Sequence, residues 1–439
     1  MSTDLLTAPS PANIGAEGIP YFTPTNNPGA ALDPTSKSTP TLFRPLTIRG
    51  VTLKNRIIVA PMCMYSAAAD PTSPSISALT DYHIAHLGHF ALKGASLIFT
   101  EALAVSPNGR ISPNDAGLWQ TGPDSEQFKG LKRVADFVHS QGGKLGVQLH
   151  HSGRKGSTVA PWLAAAKGVR SLKADEGVFG WPSNVVGPSG GEENIWDGVA
   201  GGVSSSYWAP RELSTAEIED IVRAFAHSAE VAVQAGVDVL EIHAAHGYLI
   251  HEFLSPVTNY RQDKYGGSFE NRTRILREIA SAIRSVIPES TPLFLRISAT
   301  EWIEESAIAE ERGSWDMKSS IELLKYLPEL GIDFLDVSSG GNHRDQKFQF
   351  FSDYQVELAG QLRKEIKAAG AKTLVGAVGF ITEAEAAAHI VKGADEEGEE
   401  PRADAVLIAR QFLREPEWVL NAARKLGVEI EHPHQFSRA

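Results

Sequence analysis

Short apolar runs alternate along the chain with longer stretches in which apolar residues recur every three or four positions. The runs fall at 57–60, 97–104, 145–149, 237–242, 293–297, 334–337, 374–378 and 405–408. Runs of this length with little polar alternation predict strands buried on both faces, as in a parallel sheet. The periodic stretches lie at 80–94, 124–141, 215–235, 270–286, 316–330, 354–369, 383–392 and 415–426 and predict amphipathic helices. Strand then helix, eight times over, predicts an α/β fold in the form of a (β/α)8 barrel. A doubly wound sheet is the other arrangement of such alternation, but no GxGxxG follows the first strand to support a dinucleotide site of that kind. Ahead of the first run, LTIRGVTLKNRIIVAPM at 46–62 alternates like a hairpin leading into the barrel.

Four segments stand outside this rhythm. Residues 1–40 are rich in Pro, Ser, Thr and Asn without periodicity and read as an irregular arm, with Ile19, Tyr21 and Phe22 as apolar anchors. The barrel domain then occupies 41–428, interrupted after the third strand by an insertion at 151–213. That insertion carries Trp162, Trp181, Trp196, Tyr207 and Trp208 among many Gly, Ser and Pro. A long aromatic loop on the C-terminal face of a barrel reads as a lid or specificity wall; an oligomer contact is the plainer alternative. The acidic stretch at 392–401 reads as a solvated loop pointing away from that face, and 429–439 as a C-terminal tail.

Composition narrows the class. A net charge of −12 argues against nucleic acid or an anionic membrane as partner. The single cysteine excludes internal disulfides and fits a reducing compartment. No apolar run of spanning length and no secretory signal pattern is visible, so the expected location is cytoplasmic.

Candidate chemistry gathers at strand ends. The fourth run leads into HAAHGY, placing His243, His246 and Tyr248 where such a barrel keeps its active site. Two imidazoles there suit metal ligation, acid–base work or anchoring of a substrate oxygen, or are satisfied structural groups. HxxH without a nearby carboxylate is not the spacing of a zinc helix, which weighs against metal. The seventh run ends in GAVG and the eighth in IAR, so Gly379 and Arg410 fall where barrels commonly bind phosphate.

These motifs resemble the Old Yellow Enzyme family of flavoenzymes. The likeness rests on APMCMY at 60–65, QLHHSGRK at 148–155, the segment 240–272, RISA at 296–299, GAVG at 376–379 and IARQ at 408–411, in family order. Cys63 with Tyr65 is similar to the thermophilic-like branch. The resemblance implies FMN as cofactor, with Ala60, Pro61, Met62 and Cys63 along the flavin, Ala102 and Gln148 at its polar edge, Arg296 beside N1, and Gly379, Ala409 and Arg410 at the phosphate. It implies NADPH or NADH as reductant and an activated alkene as substrate, an α,β-unsaturated carbonyl or nitro compound reduced by ping-pong hydride transfer from flavin N5. His243 and His246 would then hold the substrate oxygen, Tyr248 would protonate the α-carbon, Tyr65 would lie over the substrate, and Cys63 would tune the flavin. The tail resembles one whose arginine, here Arg438, enters a partner's site, so a homodimer or homotetramer is expected; the tail lacks that branch's terminal aromatic residue.

Rival readings attach to single residues. Arg296 alone has the alternative reading of a rim ion pair with Glu101 or Glu241, Cys63 that of a buried small hydrophobe, and Tyr65 that of packing. A flavin-free phosphate-binding lyase or isomerase would need a strand-end base such as Glu101 or Lys155. A non-catalytic flavin carrier would have no use for the reacting-face residues.

Overall fold

The computed structural model describes residues 10–197, 206–348, 351–392 and 400–438. Eight parallel strands close into one barrel. They are β1 (Ile57–Val59), β2 (Leu97–Ala104), β3 (Lys144–His150), β4 (Val239–Ala244), β5 (Leu293–Ser298), β6 (Phe334–Ser338), β7 (Leu374–Val378) and β8 (Ala405–Ile408). The main helices outside them are α1 (Asp81–Leu92), α2 (Glu126–Ser140), α3 (Thr215–Gln234), α4 (Phe269–Val286), α5 (Met317–Leu324), α6 (Tyr354–Ala368), α7 (Ala384–Ile390) and α8 (Trp418–Lys425). The (β/α)8 expectation therefore holds, and β8 pairs with β1 to close the ring.

Alternation along each strand sorts the core into two layers. Leu240, Ile242, Leu295, Ile297, Leu335 and Val337 face outward into the helices. Ile58, Phe99, Val239, Phe294, Phe334 and Leu407 fill the inside, with Phe294 stacked on Phe334 at 4.3 Å between ring centroids. The predicted hairpin, Leu46–Ile48 with Val51–Leu53, packs onto this inner cluster and plugs the N-terminal end. With that end filled by hydrocarbon, polar side chains inside the barrel are confined to its C-terminal half. A bulge in β2 between Phe99 and Ala102 shifts the register there and sets Ala102 opposite Gln148.

Two boundaries differ from the pattern. The run at 237–242 becomes a strand two residues later, because Asp238 is spent on the preceding turn. Its carboxylate accepts the Leu145 amide at 2.9 Å and meets His139 and Lys144. This carries His243 into the strand itself. The pattern at 316–330 yields a helix only to Leu324, followed by turns around Pro328, which has no amide hydrogen to continue the ladder.

The arm and tail pack together. Ala31 pairs with Ile430, Leu32 donates to Glu429, and the Asn27 amide donates to the Glu431 carboxylate at 2.6 Å. The expected acidic loop falls mainly at 393–399, outside the described residues.

Candidate active site

β4 delivers the first candidate group. His243 is 4% exposed, and its Nδ1 accepts the Ala245 amide hydrogen at 3.2 Å. The proton of the neutral ring is therefore on Nε2, which has no partner among the described residues. Burial, reinforced by His246, His150 and Arg296, holds its pKa well below the usual 6.5, so the ring stays neutral. His246 is differently placed. It takes a left-handed φ of 60°, donates its amide hydrogen to the Ser298 hydroxyl oxygen at 2.9 Å, and sets Nε2 2.7 Å from the Ser338 hydroxyl. Ser338 in turn donates to Gln355. The turn that allows this is backed by Gly341, at φ 92°, where a Cβ would lie 2.6 Å from the His246 Cα.

Tyr248 stands edge-on to His243 at 4.9 Å and to His150 at 5.5 Å. Burial pushes its phenol well above 10, so it carries its proton at neutral pH and can only act as an acid. Cys63 and Tyr65 follow β1. The Met64 amide between them donates to Glu101 at 2.9 Å, and the other oxygen of Glu101 meets His83 Nε2 at 2.7 Å. Glu101 thus anchors the loop, which lets Tyr65 hold a left-handed φ of 53°. Burial and the charges of Asp115 and Glu101 raise the Cys63 pKa, keeping it a thiol and unsuited to nucleophilic attack.

A cavity of about 400 Å³ opens beside this group. Its walls come from Ala60 and Pro61, from His246, Arg296 and Ser338, from Gly379 after β7, and from Ala409 and Arg410 after β8. Arg296, Arg410 and Arg414 line it and, among the described residues, no carboxylate does, in a protein of net charge −12. Gly379 sits at φ 108°, where a Cβ would run into the Gln355 amide. A flavin mononucleotide fits this donor set. Arg410 and Arg414 suit a phosphate at one end, and Arg296 keeps Nη2 buried and unpartnered at the other. An Arg410→Ala variant is expected to weaken FMN by about tenfold to a hundredfold, the worth of a charged hydrogen bond. Fluorescence titration of apo-protein with FMN measures it, and equal affinity in both proteins would remove Arg410 from the phosphate site.

Beneath that cavity lies a buried ionic trio. Arg296 Nε donates to Asp336 and stands 3.8 Å from Glu241, while Gln148 donates to Glu241 at 2.7 Å. The rim-pair alternative was thus half right: Glu241 is a partner, Glu101 is not, and Asp336 is the closer one. Burial pushes both carboxyls above their usual range against the opposing pull of Arg296.

The insertion seats itself at the mouth. The helix Pro161–Ala165 brings Trp162 edge-on to Tyr65 at 6.0 Å. Trp196 donates to the Gly341 carbonyl at 3.0 Å and lies under Lys155. Trp181 stacks against Arg110, in the segment after β2, and Trp208 donates into the insertion's own backbone, so these two hold the loop in place. Lys155, with a pKa lowered by burial to about 7, donates to the carbonyls of His246 and Gly341 and so braces the turn.

Of the site residues singled out from sequence, Ala60, Pro61, His246, Arg296, Gly379, Ala409 and Arg410 line this cavity, His243 packs against His246 and Tyr248 beside it, and Arg438 lies apart. Arg438 is exposed, two residues beyond a Phe436 ring that covers Lys93 at the C-terminal end of α1, away from the mouth. Sequence reasoning named Glu241 only as an alternative partner of Arg296 and passed over Asp336, along with Ser338, Gln355 and His150. A signal existed for the first two: a charged residue inside an otherwise apolar run, at inward positions of neighbouring strands.

Such a barrel, with an arginine-lined cavity under uncharged proton donors, defines a flavin-dependent oxidoreductase. Residues 41–429 match the family model described as the NADH:flavin oxidoreductase / NADH oxidase family, and the chain belongs to that family, whose cofactor is FMN. It is 42% identical over 428 residues to an NADH:flavin oxidoreductase of Gibberella zeae, covering 97% of this chain and 94% of the other. It is 37% identical to an NADPH dehydrogenase of Bacillus subtilis, covering 90% and 98%. Among solved structures, morphinone reductase in complex with tetrahydroNAD superposes with a TM-score of 0.64 at 26% identity, covering 90% of this chain and 93% of that one. The old yellow enzyme homologue from Zymomonas mobilis gives 0.64 at 26%, covering 89% and 94%.

Proposed function

We propose that this protein is an ene-reductase of the Old Yellow Enzyme type, reducing activated C=C bonds of α,β-unsaturated carbonyl or nitro compounds at the expense of NADPH or NADH. The observation that carries the reading is the unpartnered Nε2–H of a neutral His243 at the cavity mouth, 4.9 Å ring to ring from a protonated Tyr248. Bound FMN supplies the hydride, received from the nicotinamide and passed to the alkene's β-carbon. The chain's own residues do the rest. His243 donates to the substrate oxygen and stabilises the negative charge that develops there. His246 adds a second donor once its ring swings from the Ser338 hydroxyl. Tyr248 delivers its proton to the α-carbon, and Arg296 offers positive charge at the ring's polar edge.

Tyr65 and Trp162 roof the mouth and exclude water. Cys63, fixed as a thiol, modulates the flavin without bonding to substrate. Its pairing with Tyr65 supports the thermophilic-like branch. Arg438 acts on catalysis only if it enters a neighbouring subunit's mouth, which makes a homodimer or larger assembly part of this reading. The lyase alternative loses its bases, because Glu101 is held by His83 and the Met64 amide, and Lys155 by two carbonyls.

Purified protein is expected to be yellow and to oxidise NADPH faster when cyclohexenone is added under anaerobic conditions. Colourless protein that refuses added FMN, or NADPH oxidation indifferent to the enone, would sink the proposal.

A further inference from the structure

Inside the barrel, Glu241 on β4, Arg296 on β5 and Asp336 on β6 meet with two carboxyl groups to one guanidinium. Both carboxyls are fully buried, and Arg296 is 5% exposed. They are close enough to hydrogen-bond to each other, yet one oxygen of each, Glu241 Oε2 and Asp336 Oδ1, has no other partner among the described residues. Arg296 comes from β5 and Gln148 from β3. Nearer the mouth stand His150, His243 and His246, all held uncharged by burial. Glu101 of β2 is turned away to His83, and β1, β7 and β8 present apolar residues and glycine at this level. No second cation among the described residues faces the pair, so two ionised carboxylates would leave an uncompensated negative charge in a dry interior.

We propose that Glu241 and Asp336 hold one proton between them and act as positioning residues for the flavin-facing groups Arg296 and Gln148. The protonated carboxyl donates to its ionised neighbour, and the trio is neutral. Asp336 then fixes the Arg296 fork by Nε, leaving Nη2 for the cavity. Glu241 takes one amide hydrogen of Gln148, whose carbonyl oxygen has no partner among the described residues. The result is a fixed donor beside a fixed acceptor, matching the alternating carbonyl and N–H groups of a pyrimidine edge. This consequence rests on the flavin reading; the shared proton belongs to the empty barrel and is tested there.

Infrared spectra of FMN-free protein at pH 7 in heavy water should show protonated-carboxyl C=O intensity that falls in Glu241→Gln and in Asp336→Asn relative to the wild type, read as difference spectra because Glu252 and Asp115, also raised by burial, contribute in all three proteins. No loss of intensity in either variant would overturn the proposal. A second measurement uses stability. Glu241 is raised from 4.5 to about 8 in the fold, so folded protein binds a proton that unfolded protein releases. Relative to Glu241→Gln, the wild type should lose up to about tenfold in its folding constant per pH unit as pH rises between those values. A constant difference across that window would count against the shared proton. Should wild-type apo-protein bind no FMN at all, the flavin reading fails, and the infrared band alone decides the fate of the proton.

Discussion

Replacing His243 by alanine is expected to lower kcat for enone reduction by about a hundredfold to a thousandfold, the cost of removing one preorganised donor at a developing oxyanion. FMN content should not change, because the ring of His243 reaches toward Tyr248 and His150 rather than into the arginine-lined cavity. The loss should appear in the step that consumes the alkene, read by stopped-flow reoxidation, more than in the step that consumes NADPH. His246 should matter less per residue, since its Nε2 already has the Ser338 hydroxyl to satisfy. Enone turnover of His243→Ala within a few-fold of wild type would contradict the role given to it.

Arg296→Leu is expected to be the most destabilising single change at this site. It strands Glu241 and Asp336 without a counter-charge, and breaking a buried pair in this way costs about 3–5 kcal/mol. The sign with pH follows from the direction of the shifts. Both carboxyls already stand above their ordinary values, and removing the guanidinium raises them further. A carboxyl raised in the folded state contributes stability that is present at low pH and lost as pH climbs. The penalty should therefore be smaller near pH 5 than at pH 8, measured as the shift in urea midpoint. An equal midpoint for wild type and variant at pH 8 would show that the trio is not coupled as described.

Much of the site was legible because a parallel barrel writes its chemistry into sequence at fixed places. Apolar runs mark strands, and the residue that ends each run is delivered to one face. That is why His243, His246, Tyr248, Gly379 and Arg410 could be named from position alone, whereas Ala60 through Tyr65 were assigned through the resemblance of APMCMY to a known family. The inward charged layer was harder. Arg296 was visible as a strand-end cation, but its true partner Asp336 sits within the run 334–337 and was absorbed into an apolar strand. Recognising it required the register that places Asp336 opposite Arg296.

Sequence by itself determined the eightfold alternation, the face on which chemistry collects and the residue types available there. Periodicity fixes which side of each element is buried, and burial fixes the fold. Only the tertiary structure decided how those side chains share protons and partners. It gave His243 an Nε2–H without a partner among the described residues and His246 an occupied one, turned Glu101 from a candidate base into a loop anchor, and set two carboxyls against one arginine. Those outcomes depend on distances between strands far apart in the chain, and no local pattern encodes a distance of that kind.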